Sequence, residues 1–467
     1  MLSRVVVGLT LAAAVWPGRT ALAQPDKDQA YEPGVTDAED LPVHKKSYLV
    51  PSFEIVLGNA AIFTGAYIAG MDWAHVGFDS TVDHLSGGWE LDDDAYSTNQ
   101  IWHPFMGSLA FSTARSTGHD FWVSGLYAVG GAFLWEILEN EIPSTNDMIT
   151  TPIGGMFIGE AMHRFSRSLL YRGYGRPTWI RRTAASIIDP VGAINRATWG
   201  DAWAKTIPPA LNAHFGVGWQ QPTHLMGAEH GGSGQLHVEA YVEHGLMGDR
   251  SFQPRRPLDH FTLQTALDVT GDEIEALLYV RGMLLGSSMR STDGLRGMYG
   301  LFGGYDYNSN HYVRASMLGV GPGAAAEWGI GGNAYIAGTA AAYLVPYGSA
   351  GGINETEGPM RDHHDGPGLS QLAELQLGQR GWWNIKSTTR LYEIRGRAVG
   401  DVADEFVASS TLGGKVYIKT HQAIALEGTY TYRRANFADP SMATDQPDRT
   451  MDVRAFYAIT TDEILGR

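Results

Sequence analysis

The feature that most constrains this fold is a change in hydrophobic period near residue 205. Beyond it, apolar side chains recur at every second position, as in the run Leu236, Val238, Ala240 and Val242. This period of two is typical of β-strands, because successive side chains point to opposite faces. About twelve such runs follow one another along the chain. No helix-length apolar pattern lies between them, so we predict antiparallel strands joined by turns and loops.

Two kinds of β-protein fit this alternation. A membrane-spanning strand needs about 9–11 residues, apolar toward lipid and polar toward the lumen. A soluble periplasmic or secreted β-domain has the same period, with its polar face in solvent. The number of strands, the 58 Gly and 21 Tyr residues, the absence of Cys and the export signal described below favour the membrane barrel. Charged residues on the polar face, such as Glu239, Glu243, Asp268 and Arg281, would then face a lumen that can solvate them.

Residues 1–23 have the organisation of a secretory signal peptide. Arg4 supplies a positive charge, residues 5–15 are apolar, and Ala21-Leu22-Ala23 has the small-x-small pattern of a cleavage site. The apolar stretch is too short for an ordinary membrane-spanning helix. Residues 24–47 are polar and rich in Pro, and we expect a flexible leader there. The chain is therefore predicted to leave the cytoplasm.

Residues 48–200 have a different character, and we predict that they form a small helical domain. The segments 49–71, 121–135 and 148–159 are mostly apolar, and the last two carry no charge. Helices that are apolar nearly all round must be buried in protein or in lipid. The uncharged stretches are shorter than the roughly 20 residues that span a bilayer. A compact helical domain is therefore favoured over a bundle of membrane helices.

Charge and composition exclude several classes of function. Lys plus Arg (34) against Asp plus Glu (50) gives a net charge of −16, so no basic surplus exists to neutralise nucleic-acid phosphates. The sequence has no G-x-x-x-x-G-K-S/T run, so no nucleotide is expected. Ser144 lacks the G-x-S-x-G turn of an α/β-hydrolase. Without Cys, thiolate metal sites and cysteine nucleophiles are also excluded.

The segment 97–164 carries a dense series of ordered motifs. They are Ser97-Thr-Asn-Gln100, His103-Pro104, Gly107, Ala114-Arg115, Gly118, Trp135-Glu136, Glu139, Pro143-Ser144, Asn146-Asp147, Gly154-Gly155, Gly159-Glu160 and Arg164. In this order they resemble an uncharacterised bacterial family, domain of unknown function 3943, over roughly residues 90–200. The resemblance implies an exported, envelope-associated protein with a C-terminal β region, and it implies no known activity. The candidate site residues, of unknown role, are His103, Arg115, Trp135, Glu136, Glu139, Asn146, Asp147, Glu160 and Arg164.

Simple structural roles account for some of these motifs. Ser144 and Asp147 stand in S-x-x-D order before an apolar run, so we expect a helix N-cap there. Gly155 and Gly159 have the small-xxx-small spacing that permits close helix packing.

The acids in the apolar helices need partners. Glu136 and Glu139 lie three positions apart, as do Glu160 and His163, and such pairs on neighbouring helices could surround a metal ion. The di-iron pattern needs two E-x-x-H helices and the segment shows one, so no metal is expected. We predict instead that Glu136 and Glu160 pair with the two arginines of the candidate list, and that this network fixes the packing of the helices.

The predicted fold class is α+β, with a small N-terminal helical domain over 48–200 and a C-terminal antiparallel β-barrel of about 12 strands, of outer-membrane type, over 205–467. The leading predicted function is an outer-membrane barrel protein with an envelope or transport role, without a cofactor, and an enzymatic activity is less favoured. Its expected partners are outer-membrane lipid and the barrel assembly machinery. The helical domain is expected in the periplasm or inside the barrel. Two alternatives stay open: an outer-membrane enzyme that acts on lipid or lipopolysaccharide, and a soluble periplasmic binding protein.

Overall fold

The structure, a computed structural model, describes most of the chain between residues 47 and 461. The described ranges are 47–91, 94–171, 177–199, 211–225, 233–247, 252–271, 273–290, 294–310, 312–352, 363–398, 401–438 and 448–461. The predicted signal peptide (1–23) and the predicted leader, up to residue 46, lie outside these ranges. The predicted domain boundary between residues 200 and 205 also lies outside them.

The first part of the described chain is helical, as predicted. Its α-helices are α1 Leu49–Ile68, α2 Phe78–Ser86, α3 His103–Ser116, α4 Phe121–Leu138, α5 Asp147–Tyr171, α6 Trp179–Ile188 and α7 Pro190–Trp199. A 3-10 turn, Asp72–Ala74, follows α1, and a π-helical turn, Thr98–Trp102, leads directly into α3.

The second part forms twelve antiparallel strands that close into one barrel. The strands are β1 Leu211–His224, β2 Gln235–His244, β3 Phe261–Thr270, β4 Glu273–Arg290, β5 Leu295–Ser309, β6 Val313–Gly331, β7 Ala334–Gly352, β8 His363–Gln379, β9 Trp383–Ala398, β10 Asp401–Lys419, β11 Gln422–Phe437 and β12 Asp448–Thr460. Each strand pairs with its neighbours in sequence, and β1 also pairs with β12, which closes the sheet. The predicted antiparallel barrel of about 12 strands is confirmed.

The two ends of the barrel differ in their connections. We call the end at which β1 begins the near end, and the opposite one the far end. At the near end, β6 and β7, β8 and β9, and β10 and β11 are joined by only two or three residues, while the segment 245–260 between β2 and β3 is longer. At the far end, three of the connections, 225–234, 353–362 and 438–447, span ten residues each.

The alternation of side chains gives the barrel wall two different faces. On the inner face, polar pairs reach across the lumen between strands that are not neighbours. Arg281 of β4 lies with its Nη2 3.4 Å from Glu374 Oε1 of β8, and the Tyr392 hydroxyl of β9 donates to Asp306 Oδ2 of β5 at 2.9 Å. The residues predicted on this face also include Glu239, Glu243 and Asp268, which line the lumen cavity described below.

The outer face of β7 to β12 is apolar and exposed. Its exposed large side chains include Leu344, Leu369, Leu375, Leu377, Ile385, Leu412, Val416, Ile424, Leu426 and Val453. These residues alternate along their strands with the side chains of the inner face. The predicted alternation therefore corresponds to an apolar outer face and a polar inner face of the barrel wall.

The helices pack against the outer face of the wall, mainly over β4 to β6. Tyr305 of β5 points outward, because its neighbour Asp306 points into the lumen. Yet Tyr305 is fully buried, in an apolar cluster that includes Phe157 of α5, Phe111 of α3 and Leu318 of β6. The part of the wall that carries these residues is thus covered by protein.

Polar contacts also join the helices to this outer face. Gln100 Oε1, before α3, accepts a hydrogen bond from the Ser316 hydroxyl of β6 at 2.8 Å. The Tyr96 hydroxyl donates to the backbone oxygen of Asn308 at 3.0 Å. Of the two positions expected for the helical domain, the one inside the barrel is therefore wrong.

Glycines set the distance between α3 and α5. A Cβ atom on Gly107 would lie 1.8 Å from the Thr151 backbone oxygen, and one on Gly155 would lie 2.7 Å from Gly107 Cα. A Cβ on Gly159 would meet the Phe111 ring at 2.7 Å. The close packing predicted for Gly155 and Gly159 is confirmed.

Two of the helices present apolar side chains to the outside. By length and composition, α1 and α4 could each cross a membrane, and only 17% and 39% of their apolar windows are buried. Exposed side chains on them include Phe53, Leu57, Leu126 and Val129. The helices α1 to α7, which we call the helical unit, therefore continue the apolar outer surface of the barrel.

Candidate functional site

The nine candidate residues fall into two clusters at different levels of α5. The first, which we call the far cluster, surrounds the start of α5 and contains His103, Trp135, Glu136, Glu139, Asn146 and Asp147. The second, the near cluster, contains Arg115, Glu160 and Arg164. At about 1.5 Å of rise per residue, the two clusters lie roughly 20 Å apart along the axis of α5.

The near cluster is a buried ion-pair network around Glu160. Arg115 donates from Nε to Glu160 Oε2 at 2.7 Å and from Nη2 to Oε1 at 3.2 Å, and Arg164 Nε donates to Oε1 at 2.7 Å. Arg164 also reaches the segment between β2 and β3, where its Nη1 lies 3.0 Å from Asp259 Oδ1 and its Nη2 donates to Pro257 O at 3.1 Å. The pairing predicted for Glu160 is present, and it ties α3 and α5 to the near end of the barrel.

Glu136 takes no part in that network. Its Oε2 accepts a hydrogen bond from the backbone N–H of Ser144 at 2.6 Å. Arg115 and Arg164 bind Glu160 at the other level of α5, so the predicted pairing of Glu136 with these arginines is wrong. The order of residues along the chain did not reveal that Glu136 of α4 lies beside the start of α5, whereas Glu160 lies more than three turns further along that helix.

The far cluster brings three ionisable side chains together from three segments. His103 is the first residue of α3, Glu136 lies in the last turn of α4, and Asp147 is the first residue of α5. His103 Nδ1 lies 3.2 Å from Asp147 Oδ1, and one nitrogen or oxygen atom from each of the three lies within 4.8 Å of the other two. Glu136 and Asp147 are only 1% and 2% exposed.

Several hydrogen bonds orient Asp147 within this cluster. Asn146 Nδ2 and Thr150 Oγ1 each donate to Asp147 Oδ1 at 3.4 Å. Ser144 Oγ accepts from the Asp147 backbone N–H at 3.3 Å and donates to Asn146 Oδ1 at 2.7 Å. The predicted cap by Ser144 is therefore present, although the N–H of Ser144 binds Glu136 and not the Asp147 side chain of a capping box.

Glu139 adds a further carboxyl group beside Glu136, just beyond the end of α4. The Trp135 indole N–H donates to Glu139 Oε2 at 3.0 Å. Burial raises the pKa of Glu139 well above its usual range, and the neighbouring charges of Glu136 and Glu141 raise it further. This shift favours the protonated form of Glu139, beside the Glu136 carboxyl group. The far cluster concentrates carboxyl groups in a small buried volume.

An apolar groove adjoins the far cluster. It holds about 790 Å³ of empty space between α1, α3 and α4, and Ile55, Ile62 and Met106 are among its walls. His103 and Glu136 belong to the same lining. A molecule with an apolar chain in this groove could therefore bring a polar group to the cluster.

A second cavity, of about 1260 Å³, lies in the barrel lumen and is mainly polar. Asn308 and Asn310 line it at the far end, and Tyr417, two residues before the end of β10, lines it toward the near end. The cavity thus extends along most of the length of the barrel. Its acidic lining residues are Glu239, Glu243, Asp268, Glu275, Glu427 and Asp452, and its basic ones are Lys386, Arg390, Lys415 and Arg454.

Histidines that are scattered in the sequence meet on the inner face of this lumen. His237 places Nδ1 2.7 Å from Asp268 Oδ1 and Nε2 3.3 Å from Glu239 Oε2. His214 Nε2 lies 2.5 Å from Glu239 Oε1, and Lys415 Nζ of β10 lies 2.9 Å from His214 Nδ1. Glu239 and Asp268 were predicted to face the lumen, but their contacts with the histidines were not, because only the register between β1, β2 and β3 and the closure of the barrel bring these residues together.

Several solved structures are similar to this chain. They include the NanC porin, with 8% identity and a TM-score of 0.27 over 54% of this chain and 100% of that one. An anion-selective porin from Comamonas acidovorans has 10% identity and a TM-score of 0.19 over 54% and 99%. The toluene transporter TodX from Pseudomonas putida has 7% identity and a TM-score of 0.24 over 54% and 89%.

No curated protein matches the chain. Residues 88–191 match the family described as Domain of unknown function (DUF3943). This range begins shortly before the π-helical turn, ends in α7 and contains all nine candidate residues. Residues 88–191 are therefore similar to this family, and the helices of this segment pack against the outer wall of a closed twelve-stranded barrel.

Proposed function

We propose that this protein is an outer-membrane β-barrel whose lumen lets small polar solutes pass, in an envelope or transport role. One observation carries the proposal. One polar cavity has lining residues near both ends of the barrel, and the outer wall of the barrel is apolar. An apolar belt around a polar lumen is the arrangement of barrels that carry solutes across a membrane.

The exposed wall supports the membrane location. Large apolar side chains cover the outer face of β7 to β12, and contiguous apolar patches of this kind are rare on soluble monomers. Transmembrane barrels have short turns on the periplasmic side and longer loops outside the cell. The near end, with its short turns, would accordingly face the periplasm.

The helical unit would then lie in the bilayer beside the barrel. α1 and α4 have 20 and 18 residues, which corresponds to roughly 30 and 27 Å of helix. The hydrocarbon core of a bilayer is about 30 Å thick. Lipid around the barrel would therefore also cover the exposed faces of these helices, and the far cluster would lie near the outer lipid–water boundary.

Labelling of single cysteines tests this placement, because the sequence has no native Cys. Leu126 in α4 is 70% exposed, and in Leu126→Cys we expect a fluorescent label to be quenched by lipid-borne quenchers. Thr420→Cys, in the exposed near-end turn between β10 and β11, is the control and should react with water-soluble maleimide. If both positions react equally with maleimide in membranes, α4 does not face lipid.

Conductance tests the passage itself. The full chain in a planar lipid bilayer is expected to open discrete ion-conducting steps. Lys415→Glu reverses a charge on the cavity lining and should raise the preference for cations. Lys419→Glu makes the same charge change at the exposed end of β10 and should leave selectivity nearly unchanged. A silent wild-type protein would exclude the passage, and equal shifts in the two variants would place the conducting path elsewhere.

A second candidate function is an outer-membrane enzyme that acts on lipid. The apolar groove favours it, because hydrocarbon could occupy the groove while a polar head group approaches His103 and Glu136. Replacing Glu136 by Gln should then change the composition of outer-membrane lipids in the cell, as measured by mass spectrometry, and leave conductance unaltered. Identical lipid profiles for the variant and the wild type would remove this candidate.

A further inference from the structure

The far cluster contains donor atoms that suit a metal ion. We infer that His103, Glu136 and Asp147 bind one divalent metal ion, with Zn²⁺ as the best match. The inference concerns the helical unit alone, so it stands or falls independently of a passage through the barrel.

The donor set and its spacing carry the first step. Zn²⁺ binds imidazole nitrogen and carboxylate oxygen at about 2.0–2.2 Å, so two ligand atoms of a tetrahedral site lie roughly 3.4 Å apart. His103 Nδ1 and Asp147 Oδ1 already lie 3.2 Å apart. The third donor, from Glu136, lies within 4.8 Å of both. A small side-chain rotation would complete the set.

The charge of the cluster carries the second step. Glu136 and Asp147 are both nearly fully buried, and a carboxylate oxygen of one lies within 4.8 Å of a carboxylate oxygen of the other. Two carboxylates so close together repel each other. Buried charges in proteins are normally paired or coordinated to metals. One divalent cation between the two carboxylates would neutralise them.

Supporting hydrogen bonds carry the third step. Metal-binding side chains are typically held by partners of their own, and a bound histidine turns its other ring nitrogen toward a carboxylate or carbonyl group. Asn146 and Thr150 donate to Asp147 Oδ1, and the Ser144 backbone N–H donates to Glu136. His103 Nε2 faces Asp94 Oδ2 at 3.9 Å.

The groove indicates what the bound metal could meet. Three protein ligands leave one position of a zinc ion for water or another oxygen ligand, as in catalytic zinc sites. His103 and Glu136 also line the apolar groove. The fourth position would therefore be open to water, or to an oxygen atom of an amphiphilic molecule held in the groove.

The test counts metal in the full chain. Protein purified in detergent is stripped with a chelator, dialysed against Zn²⁺ and analysed by mass spectrometry for bound zinc. We expect the wild type to hold one more zinc ion per chain than His103→Gln or Asp147→Asn. Asn146→Ala removes a supporting hydrogen bond and should weaken binding about 10–100-fold. His75→Gln alters an exposed histidine outside the cluster and serves as the matched control, with the wild-type zinc content.

A second measurement keeps the test decisive if a variant folds poorly. Because a ligand of the folded state raises its melting temperature, Zn²⁺ should raise the Tm of the wild type and of His75→Gln but not that of His103→Gln. Equal zinc content and equal Tm shifts in the wild type and His103→Gln would overturn the inference, whichever other histidines bind zinc.

Discussion

Glu160→Ala is expected to lower the free energy of unfolding by about 3–5 kcal/mol, because it removes the shared partner of two buried arginines. Arg115 and Arg164 are each 7% exposed, and both donate to Glu160 at 2.7 Å. Without the carboxylate, Arg115 would keep its contact with the His119 backbone oxygen, and its charge would lose the compensating one. Urea unfolding of the full chain in detergent would measure the change.

Two further variants separate the ion pair from a general effect of substitution. Asp83→Ala alters an exposed acid in α2 and should change stability by less than about 0.5 kcal/mol. The double variant Glu160→Met with Arg115→Met removes both members of one pair, while Arg164 keeps Asp259 at 3.0 Å. It should therefore be more stable than Glu160→Ala. Similar stabilities for Glu160→Ala and Asp83→Ala would mean that the network does not hold the helices together.

The barrel could be predicted from the sequence because its physical cause is local. A strand with lipid or protein on one side and a polar lumen on the other must alternate, and this period is visible in any single strand. The pair Arg281 and Glu374 shows the limit of that reasoning. Arg281 was predicted on the lumen face of its own strand, but its contact with Glu374 across the barrel depends on closure by β1 and β12.

The position of the helices could not be predicted in the same way. Tyr305 and Ser316 belong to the outer face, where the alternation alone predicts contact with lipid. Their burial by α5 and Gln100 is a property of surfaces that meet in three dimensions, and no periodicity reports it. The apolar helices were predicted to form a compact domain of their own. In the structure, one hydrophobic cluster joins them to the barrel wall.

The candidate site was predicted as a set of residues and not as a geometry. In the sequence, possible metal ligands are visible only as spacings within one helix, such as that of Glu160 and His163. In the structure Glu160 pairs with Arg115 and Arg164. The side chains that could together hold a metal ion are instead His103, Glu136 and Asp147, which come from three segments. Such a set has no characteristic spacing, because the loops that connect its segments determine which residues meet.

Leu412→Arg is the variant that separates a membrane barrel from a soluble one. Leu412 lies near the middle of β10, on the outer face, and is 62% exposed. In a bilayer, an arginine near the midplane of the lipid-facing wall should cost about 2–4 kcal/mol. In a soluble protein this position already faces water, so the same change should cost less than about 0.5 kcal/mol. Unfolding of the full chain refolded into lipid vesicles measures the difference.

The neighbouring position provides the matched control. Thr411 precedes Leu412 on the same strand but lines the polar lumen cavity, where its hydroxyl lies 3.0 Å from that of Thr429. Water and the acidic lining of the cavity can solvate an arginine there, so Thr411→Arg should be tolerated far better than Leu412→Arg if lipid surrounds the barrel. A soluble barrel reverses the order, because the crowded interior then becomes the costlier place for the added side chain. The sign of the difference between two adjacent substitutions therefore decides what surrounds the wall.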